Sequence, residues 1–275
     1  MPPAISRIAA LTAAADWPVL AAPPHWRVVD FISDLHLQAS EPANFLAWQG
    51  YMRRTKADAV FILGDLFEVW VGDDGLAAGN FEDRCVQTLR AAASQRAIFF
   101  LHGNRDFLLG TTFAQACAAT LLADPTVLSF AGQRWLLSHG DALCLGDTEY
   151  LQFRAQVRSA GWQRDFLDKP LVERKAIAQG LRQQSEARKR SGIDYADVDA
   201  DVACAWLHAA QATAMIHGHT HKPADHDLGQ GLQRIVLSDW DAAAAPPRAE
   251  VLRLSTAAPG LPSRAIRQRI SPLAA

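Results

Sequence analysis

Residues 26–36 read WRVVDFISDLH, an apolar run of strand length that ends at Asp34-Leu35-His36. Four later apolar runs also end in polar clusters, namely Gly64-Asp65, His102-Gly103-Asn104-Arg105-Asp106, Ser138-His139-Gly140-Asp141 and His217-Gly218-His219. Apolar runs without alternation are typical of strands buried on both faces of a sheet. Because helical patterns lie between several of these runs, the sequence predicts an α/β layered fold.

The polar clusters are expected to lie together, since residues just past the strand ends of such folds converge at one rim, where ligands bind. Glycine in the clusters suits loops that approach a metal or a phosphate closely. The candidate ligands are Asp34, His36, Asp65, Asn104, His139, His217 and His219. Their mixed oxygen and nitrogen donors suit Mn²⁺, Fe²⁺, Co²⁺ or Zn²⁺, and the lack of cysteine argues against a structural zinc site.

The composition is that of an ordinary soluble globular enzyme, with 49% hydrophobic and 20% charged residues in a chain of 275. A net charge of −2 gives no strong overall field for nucleic acid or a membrane. The four cysteines stand far apart in the sequence, and the first two dozen residues make a poor signal peptide. We therefore expect reduced thiols and a cytoplasmic location.

The chain is expected to be a core that carries an insertion. The predicted parts are a poorly ordered extension (residues 1–24), a core (residues 25–149 and 212–260), a helical cap (residues 150–211) and a C-terminal tail (residues 261–275). Pro170 predicts a break between helices of the cap. Residues 150–190 carry ten Lys or Arg against four Asp or Glu. That excess is either a solvated helix face or a surface for an anionic substrate or anionic lipid heads.

The ordered blocks resemble the calcineurin-like metallophosphoesterases, whose pattern is Asp-x-His, Gly-Asp, Gly-Asn-His-Asp or Glu, His and Gly-His-x-His. The last block reads Gly218-His219-Thr220-His221 here, with His217 before it. The resemblance implies a layered β-sandwich core flanked by helices, with the helical cap inserted, and a site for two metal ions. It implies Asp34, His36 and His219 as ligands of the first ion, Asn104, His139 and His217 as ligands of the second, and Asp65 as the bridge.

One residue departs from that pattern, because Arg105 stands where most of these enzymes have a histidine that protonates the leaving oxygen. A guanidinium cannot act as a general acid near neutral pH, but it can hold phosphate oxygens bidentately. A phosphate monoester that leaves from an anhydride needs no proton, whereas a sugar alkoxide does. Arg105 therefore favours cleavage of a pyrophosphate over simple phosphomonoester hydrolysis.

Longer blocks resemble the UDP-2,3-diacylglucosamine hydrolases of the lipid A pathway. These blocks are residues 64–74 (GDLFEVWVGDD), 102–108 (HGNRDFL), 139–144 (HGDALC) and 217–223 (HGHTHKP). The resemblance implies two Mn²⁺ ions, hydrolysis of UDP-2,3-diacylglucosamine to UMP and 2,3-diacylglucosamine 1-phosphate (lipid X), and acyl chains held by the cap. It also implies peripheral contact with the anionic cytoplasmic face of the inner membrane, with no nucleic acid and no obligate protein partner.

The resemblance also implies roles around the metals. Asp65, Asn104 and Arg105 would be catalytic, and the substrate would be held by Asn104, Arg105, Asp147, Arg182, Ser185, Lys189, Arg190 and His217, where either Lys189 or Arg190 replaces a lysine of the family. His102, His221 and His226 are expected to hydrogen-bond around the site rather than bind metal. One alternative function is a general metal-dependent phosphodiesterase acting on other nucleotide diesters. Another is a scaffold without catalysis, against which all seven ligand positions are filled.

Overall fold

The computed structural model describes residues 16–190, 196–256 and 265–271, apart from the side chains of residues 184–190 and 265. The first sheet consists, in spatial order, of β12 (Ala265–Ile270), β11 (Val251–Thr256), β2 (Val28–Ile32), β3 (Ala59–Ile62), β4 (Ala97–Leu101) and β5 (Thr120–Leu122). The second consists of β1 (Val19–Ala21), β6 (Thr126–Phe130), β7 (Gln133–Leu137), β8 (Ala214–His217), β10 (Leu232–Val236) and β9 (Ala224–Gly229). The described helices are α1 (Pro42–Arg54), α2 (Phe81–Ala93), α3 (Thr111–Cys117), α4 (Thr148–Val157), α5 (Ala160–Leu167), α6 (Leu171–Arg190) and α7 (Ala200–Ala210).

The two sheets pack face to face, and helices cover their outer faces. Stacked rings of Phe31, Phe61 and Phe99 project from the first sheet into the core between the sheets, where Trp135 and Ile216 of the second sheet meet them. Helices α1, α2 and α3 pack on the outer face of the first sheet, and α7 packs on the outer face of the second. This is the predicted layered α/β sandwich, in which central strands such as β3 and β8 are buried on both faces.

Parallel pairing brings the polar clusters to one rim. Strands β2, β3 and β4 are hydrogen-bonded neighbours that run parallel, so their carboxyl ends lie at the same edge of the first sheet. In the second sheet β7 and β8 also run parallel. The backbone N–H of Asp34 donates to the carbonyl of Gly64 (3.1 Å), and that of Gly218 donates to the carbonyl of His139 (3.0 Å). Loops that follow neighbouring strands are therefore bonded to each other.

The boundaries of the predicted parts differ from the structure at three points. Residues 19–21, assigned to the extension, form β1, which pairs in parallel with β6. Residues 265–270, assigned to the tail, form β12, which pairs with β11 along its whole length. Helix α7, assigned to the cap, belongs to the sandwich, because Val202 and Trp206 pack on the second sheet. Residues 1–15, 261–264 and 272–275 lie outside the described residues.

The cap as described therefore consists of α4, α5 and α6, and it rests on the core. Arg174 of α6 is buried and donates to the carbonyl of Val71, to Asp74 and to the carbonyl of Lys169. Several of the basic residues in 150–190 form ion pairs inside the protein, since Arg154, Arg158 and Arg182 also contact buried carboxylates. Neither interpretation of the basic segment anticipated this internal pairing.

Candidate metal centre

The loops that carry the predicted ligands have an unusual backbone. Five residues of the rim have positive φ although none is glycine: Asp34 (55°), His36 (49°), Asp65 (52°), His219 (68°) and His221 (53°). This left-handed conformation costs free energy for residues with a Cβ and persists where the surroundings impose it. Backbone hydrogen bonds do so here, since the N–H of His36 donates to the carbonyl of Asp65 (3.0 Å) and the N–H of Trp240 to that of Asp34 (3.0 Å). The strain directs these side chains towards one another.

Asp34, His36 and His221 form the first group of potential ligand atoms, which all lie within 4.8 Å of one another. Nε2 of His221 is 3.3 Å from Nε2 of His36 and 3.3 Å from Oδ1 of Asp34. Nδ1 of His36 lies 3.0 Å from Oε2 of Glu68, and this contact favours the tautomer with its proton on Nδ1. The lone pair on Nε2 of His36 is then directed towards the other two donors, as a metal ligand requires.

The second group lies beside the first. Asp34, Asp65 and His139 place their ligand atoms within 4.8 Å of one another, so Asp34 belongs to both groups. Oδ1 of Asn104 is 2.9 Å from Nε2 of His139 and 2.9 Å from Nδ1 of His219. Nδ1 of His139 is held by the carbonyl of Leu63 at 2.9 Å, which leaves Nε2 directed at the group. Asn104, His139 and His219 therefore converge next to the two carboxylates.

Several features fit divalent cations between these donors. A Cβ on Gly103 would lie 2.0 Å from Oδ1 of Asp65, so the loops approach as closely as only glycine allows. Burial alone lowers the pKa of His139, yet the charges of Asp65, Asp34 and Asp141 raise it to about 9. Burial and the Asp65 charge raise the pKa of Asp106 to about 7. The site thus has an excess of negative charge, which cations would neutralise, and its oxygen and imidazole donors suit borderline-hard ions.

His217 does not join the ligand groups of the described residues. Along β8, Ala214 and Ile216 face the core between the sheets and Met215 faces α7, so alternation turns His217 to the α7 side. Its Nδ1 lies 2.8 Å from the carbonyl of Gly218, and its Nε2 lies 3.5 Å from a guanidinium nitrogen of Arg234. From the sequence, His217 was expected among the ligands and His221 around them. The structure brings His221 into the group instead.

Glu68, which was not among the residues expected at the site, connects the first ligand group with Arg105 and Arg182. Its Oε2 contacts His36, while its Oε1 lies 3.5 Å from a guanidinium nitrogen of Arg105 and 3.1 Å from Nε of Arg182. Burial alone raises the pKa of Glu68, but the His36 hydrogen bond and the charges of Arg105 and Arg182 lower it below its usual range. The spacing Asp65-x-x-Glu68 within a quoted block was the available signal.

Asp141 joins the cap to the loop that carries His139. Its buried Oδ2 accepts hydrogen bonds from the hydroxyl of Tyr150 (2.6 Å) and from Nε of Arg154 (2.8 Å), both on α4. Arg158 of the same helix lies 3.7 Å from Asp141 and donates to the carbonyl of Gly103 (2.9 Å), and its guanidinium lies 5.4 Å from the centre of the Phe107 ring. Helix α4 therefore contacts both the loop that carries His139 and the loop that carries Asn104, and links the two.

The predicted substrate residues are placed unevenly. Arg105 and Arg182 lie next to the first ligand group through Glu68. Asp147 is the N-cap of α4, where its Oδ1 accepts a hydrogen bond from the backbone N–H of Tyr150 (3.0 Å). Ser185, Lys189 and Arg190 fall in the last turns of α6, where the side chains lie outside the described part of the structure.

Comparison with known proteins places the chain in a family. The family model described as calcineurin-like phosphoesterase matches residues 28–223. A UDP-2,3-diacylglucosamine hydrolase of Chromohalobacter salexigens is 42% identical over 219 residues, which are 76% of this chain and 87% of the relative. The enzyme of that name from Chromobacterium violaceum is 45% identical over 225 residues, which are 77% of this chain and 90% of the relative.

Among solved structures, Vps29 of Chaetomium thermophilum aligns with a TM-score of 0.44 and 10% identity, covering 89% of this chain and 97% of that one. The family assignment depends on the sequence matches. The family model spans residues 28–223, which include every loop of the metal centre, and the relatives align over most of the chain. This chain belongs to the calcineurin-like phosphoesterases, and within them to the group whose curated members are named UDP-2,3-diacylglucosamine hydrolase.

Proposed function

We propose that this chain hydrolyses the pyrophosphate bond of UDP-2,3-diacylglucosamine to give UMP and 2,3-diacylglucosamine 1-phosphate, a step of lipid A biosynthesis. The relatives that carry this name support the substrate. The observation that carries the reaction type is the position of Arg105: its guanidinium lies beside the first ligand group through Glu68, at the place where a proton-donating histidine is usual in the superfamily. The leaving phosphate monoester needs no proton, so an arginine suffices there.

We assign two Mn²⁺ ions to the centre. One would be held by Asp34, His36 and His221 and the other by Asn104, His139 and His219, with Asp65 between them, because these are the donors that converge. Such a pair of ions supplies Lewis-acid polarisation of the phosphoryl oxygens and an acidified water. The choice of Mn²⁺ follows the resemblance, and the donor set is compatible with it.

The protein's own groups would bind and orient the diphosphate. Arg105 can donate two parallel hydrogen bonds to phosphate oxygens and neutralise charge that develops during in-line displacement. The backbone N–H of Arg105 donates to Oδ1 of Asp65 (2.8 Å), so the backbone of Arg105 is fixed beside the metal centre. Arg182 of α6 brings a second guanidinium to Glu68, which supports a role of the cap in binding the same anion.

Replacing Arg105 by alanine is expected to lower kcat/KM by about 10²–10³, the cost of removing one preorganised donor to developing charge. Metal content should remain at the wild-type level, because Arg105 contributes no ligand atom to either group. The measurement is release of UMP together with metal analysis of the same sample. Loss of metal in the variant would show that Arg105 maintains the centre rather than the substrate.

The test of the proposed function is an assay of purified protein with Mn²⁺ for UMP release from UDP-2,3-diacylglucosamine. A small diester, such as bis(p-nitrophenyl) phosphate, tests the alternative of a general phosphodiesterase in parallel. We expect the lipid nucleotide to be turned over with a kcat/KM many times that of the small diester. Comparable rates would favour the alternative, and no UMP from a protein that retains both metals would refute the proposal.

We further propose that the protein contacts the membrane surface peripherally, through the cap. No described helix has the length and apolar character needed to cross a bilayer. Val172, at the start of α6, is 81% exposed, and Leu167 at the end of α5 is 41% exposed, so the turn between these helices presents apolar side chains to the surroundings. A diacylated substrate resides in a membrane, and an apolar turn on the cap suits contact with it.

Replacing Val172 by aspartate should weaken co-flotation with vesicles that contain anionic phospholipid by about tenfold, since burial of one valine contributes about 1.5–3 kcal/mol. Val19→Asp is the matched control, because Val19 is 50% exposed on the sandwich, far from the cap in sequence. If both variants lose co-flotation equally, or if the wild-type protein does not float with the vesicles, the proposed contact between the cap and the membrane is wrong.

A further inference from the structure

Glu68 has three partners on three different parts of the protein. His36 belongs to the metal centre, Arg105 to the loop after β4, and Arg182 to helix α6 of the cap. The Glu68 side chain is only 11% exposed, so these contacts are shielded from water. Arg182 also donates to Oε1 of Gln38 (3.2 Å), which lies two residues after His36. The same short stretch of chain thus supplies a metal ligand and a contact of the cap.

We propose that Glu68 is a positioning residue that couples the metal centre to the cap: one carboxylate oxygen fixes the ring of His36, and the other holds Arg182 of α6. The inference depends on the proposed metal ligands. A metal at Nε2 of His36 requires the proton on Nδ1, which lies 3.0 Å from Oε2 of Glu68. That contact fixes the orientation of the carboxylate and therefore the position of Oε1, which meets Arg182.

The coupling must act in both directions. If metal binding favours the docked position of α6, then the docked helix favours metal binding by the same factor. Couplings of this kind typically amount to about 5–150-fold. Helix α6 has a second anchor at Arg174, towards its N-terminal end, so the coupling should be strongest in the part of the helix around Arg182. A ligand that binds between the cap and the core would then find α6 in its docked position only when the metals are bound.

Hydrogen–deuterium exchange of the whole protein, with and without Mn²⁺, tests the coupling. In the wild-type protein Mn²⁺ should slow exchange of peptides from α6 on the order of tenfold. Glu68→Gln should abolish this slowing and raise the dissociation constant for Mn²⁺ by about 10–100-fold. An amide has one acceptor oxygen, so it can satisfy His36 or the guanidiniums but not both.

Arg182→Gln should also abolish the slowing, yet it should still bind two Mn²⁺ per chain at saturation, because Arg182 is no ligand. Glu173→Gln is the matched control: it removes an exposed ion pair between Glu173 of α6 and Lys169, which precedes the helix (2.7 Å), and it should leave the response intact. If the wild-type protein binds two Mn²⁺ and exchange of the α6 peptides does not slow, the coupling is wrong and the proposed function is unaffected. A wild-type protein that binds no Mn²⁺ would instead overturn the proposed function.

Discussion

Replacement of Asp65 by asparagine is expected to lower kcat/KM by at least about 10³ and to remove at least one metal ion per chain. Asp65 belongs to the second ligand group, where its carboxylate lies within 4.8 Å of ligand atoms of His139 and of Asp34, and Asp34 is the residue shared with the first group. A carboxylate can offer one oxygen to each of two ions, whereas an amide offers a single neutral oxygen. Removing one preorganised charge-stabilising group already costs about 10²–10³ in rate, and the loss of an ion removes more.

The asparagine variant is chosen because it preserves the shape of the side chain, and its amide oxygen can still accept the hydrogen bond from the backbone N–H of Arg105. Asp201→Asn, an exposed position on α7, is the control for the loss of one negative charge. UMP release and metal content should both be measured. An Asp65→Asn protein with two ions and near-wild-type activity would exclude Asp65 as the bridge.

His221 and His217 are expected to respond in opposite ways to the same substitution. His221→Gln should lose one metal ion per chain and most of the activity, because its Nε2 lies in the first ligand group. His217→Gln should keep both ions, because its ring faces Arg234 and the carbonyl of Gly218. Metal analysis after gel filtration, followed by the UMP assay, measures both effects. The reverse outcome would restore the assignment made from the sequence.

The sequence could predict the positions of the candidate ligands because each polar cluster follows directly on an apolar run, which is a local feature. Asp34, His36 and Asp65 follow apolar runs directly, and parallel pairing of β2 with β3 brings such positions together in any layered α/β fold. The same reasoning applied to Asn104 and His139. The identity of all these residues as metal ligands stays a prediction. Asn104 and His139 follow strands of different sheets, so their convergence depends on how the two sheets pack and not on strand pairing.

The sequence favoured His217 over His221 as a ligand because three histidines stand at alternate positions from the last residue of β8 onwards. The spacing of the three histidines does not show where the strand ends or which backbone conformation the following turn adopts. Here His217 is the last residue of β8, and the turn after it has two left-handed residues, His219 and His221, which redirect the side chains. Alternation was the usable signal, since Met215 and His217 must face the same side of a strand.

Contacts between the cap and the core could not be read from the sequence. Glu68 and Arg182 are 114 residues apart in number, and Asp141 meets Arg154 only because α4 folds back over the His139 loop. Composition identified the cap as helical and basic, but it did not show that its arginines have buried partners. Likewise, the stripe of Val202, Trp206 and Ala210 marks α7 as a helix that packs on a sheet, which composition alone assigned to the cap.

The central claim is a pair of metal ions held by Asp34, His36, Asp65, Asn104, His139, His219 and His221. Anomalous diffraction at the manganese absorption edge, from crystals of the wild-type protein grown with Mn²⁺, tests it most directly. The account predicts two peaks, one among Asp34, His36 and His221 and the other among Asn104, His139 and His219, with Asp65 contacting both. A single peak, or a peak bound by His217 in place of His221, would contradict it.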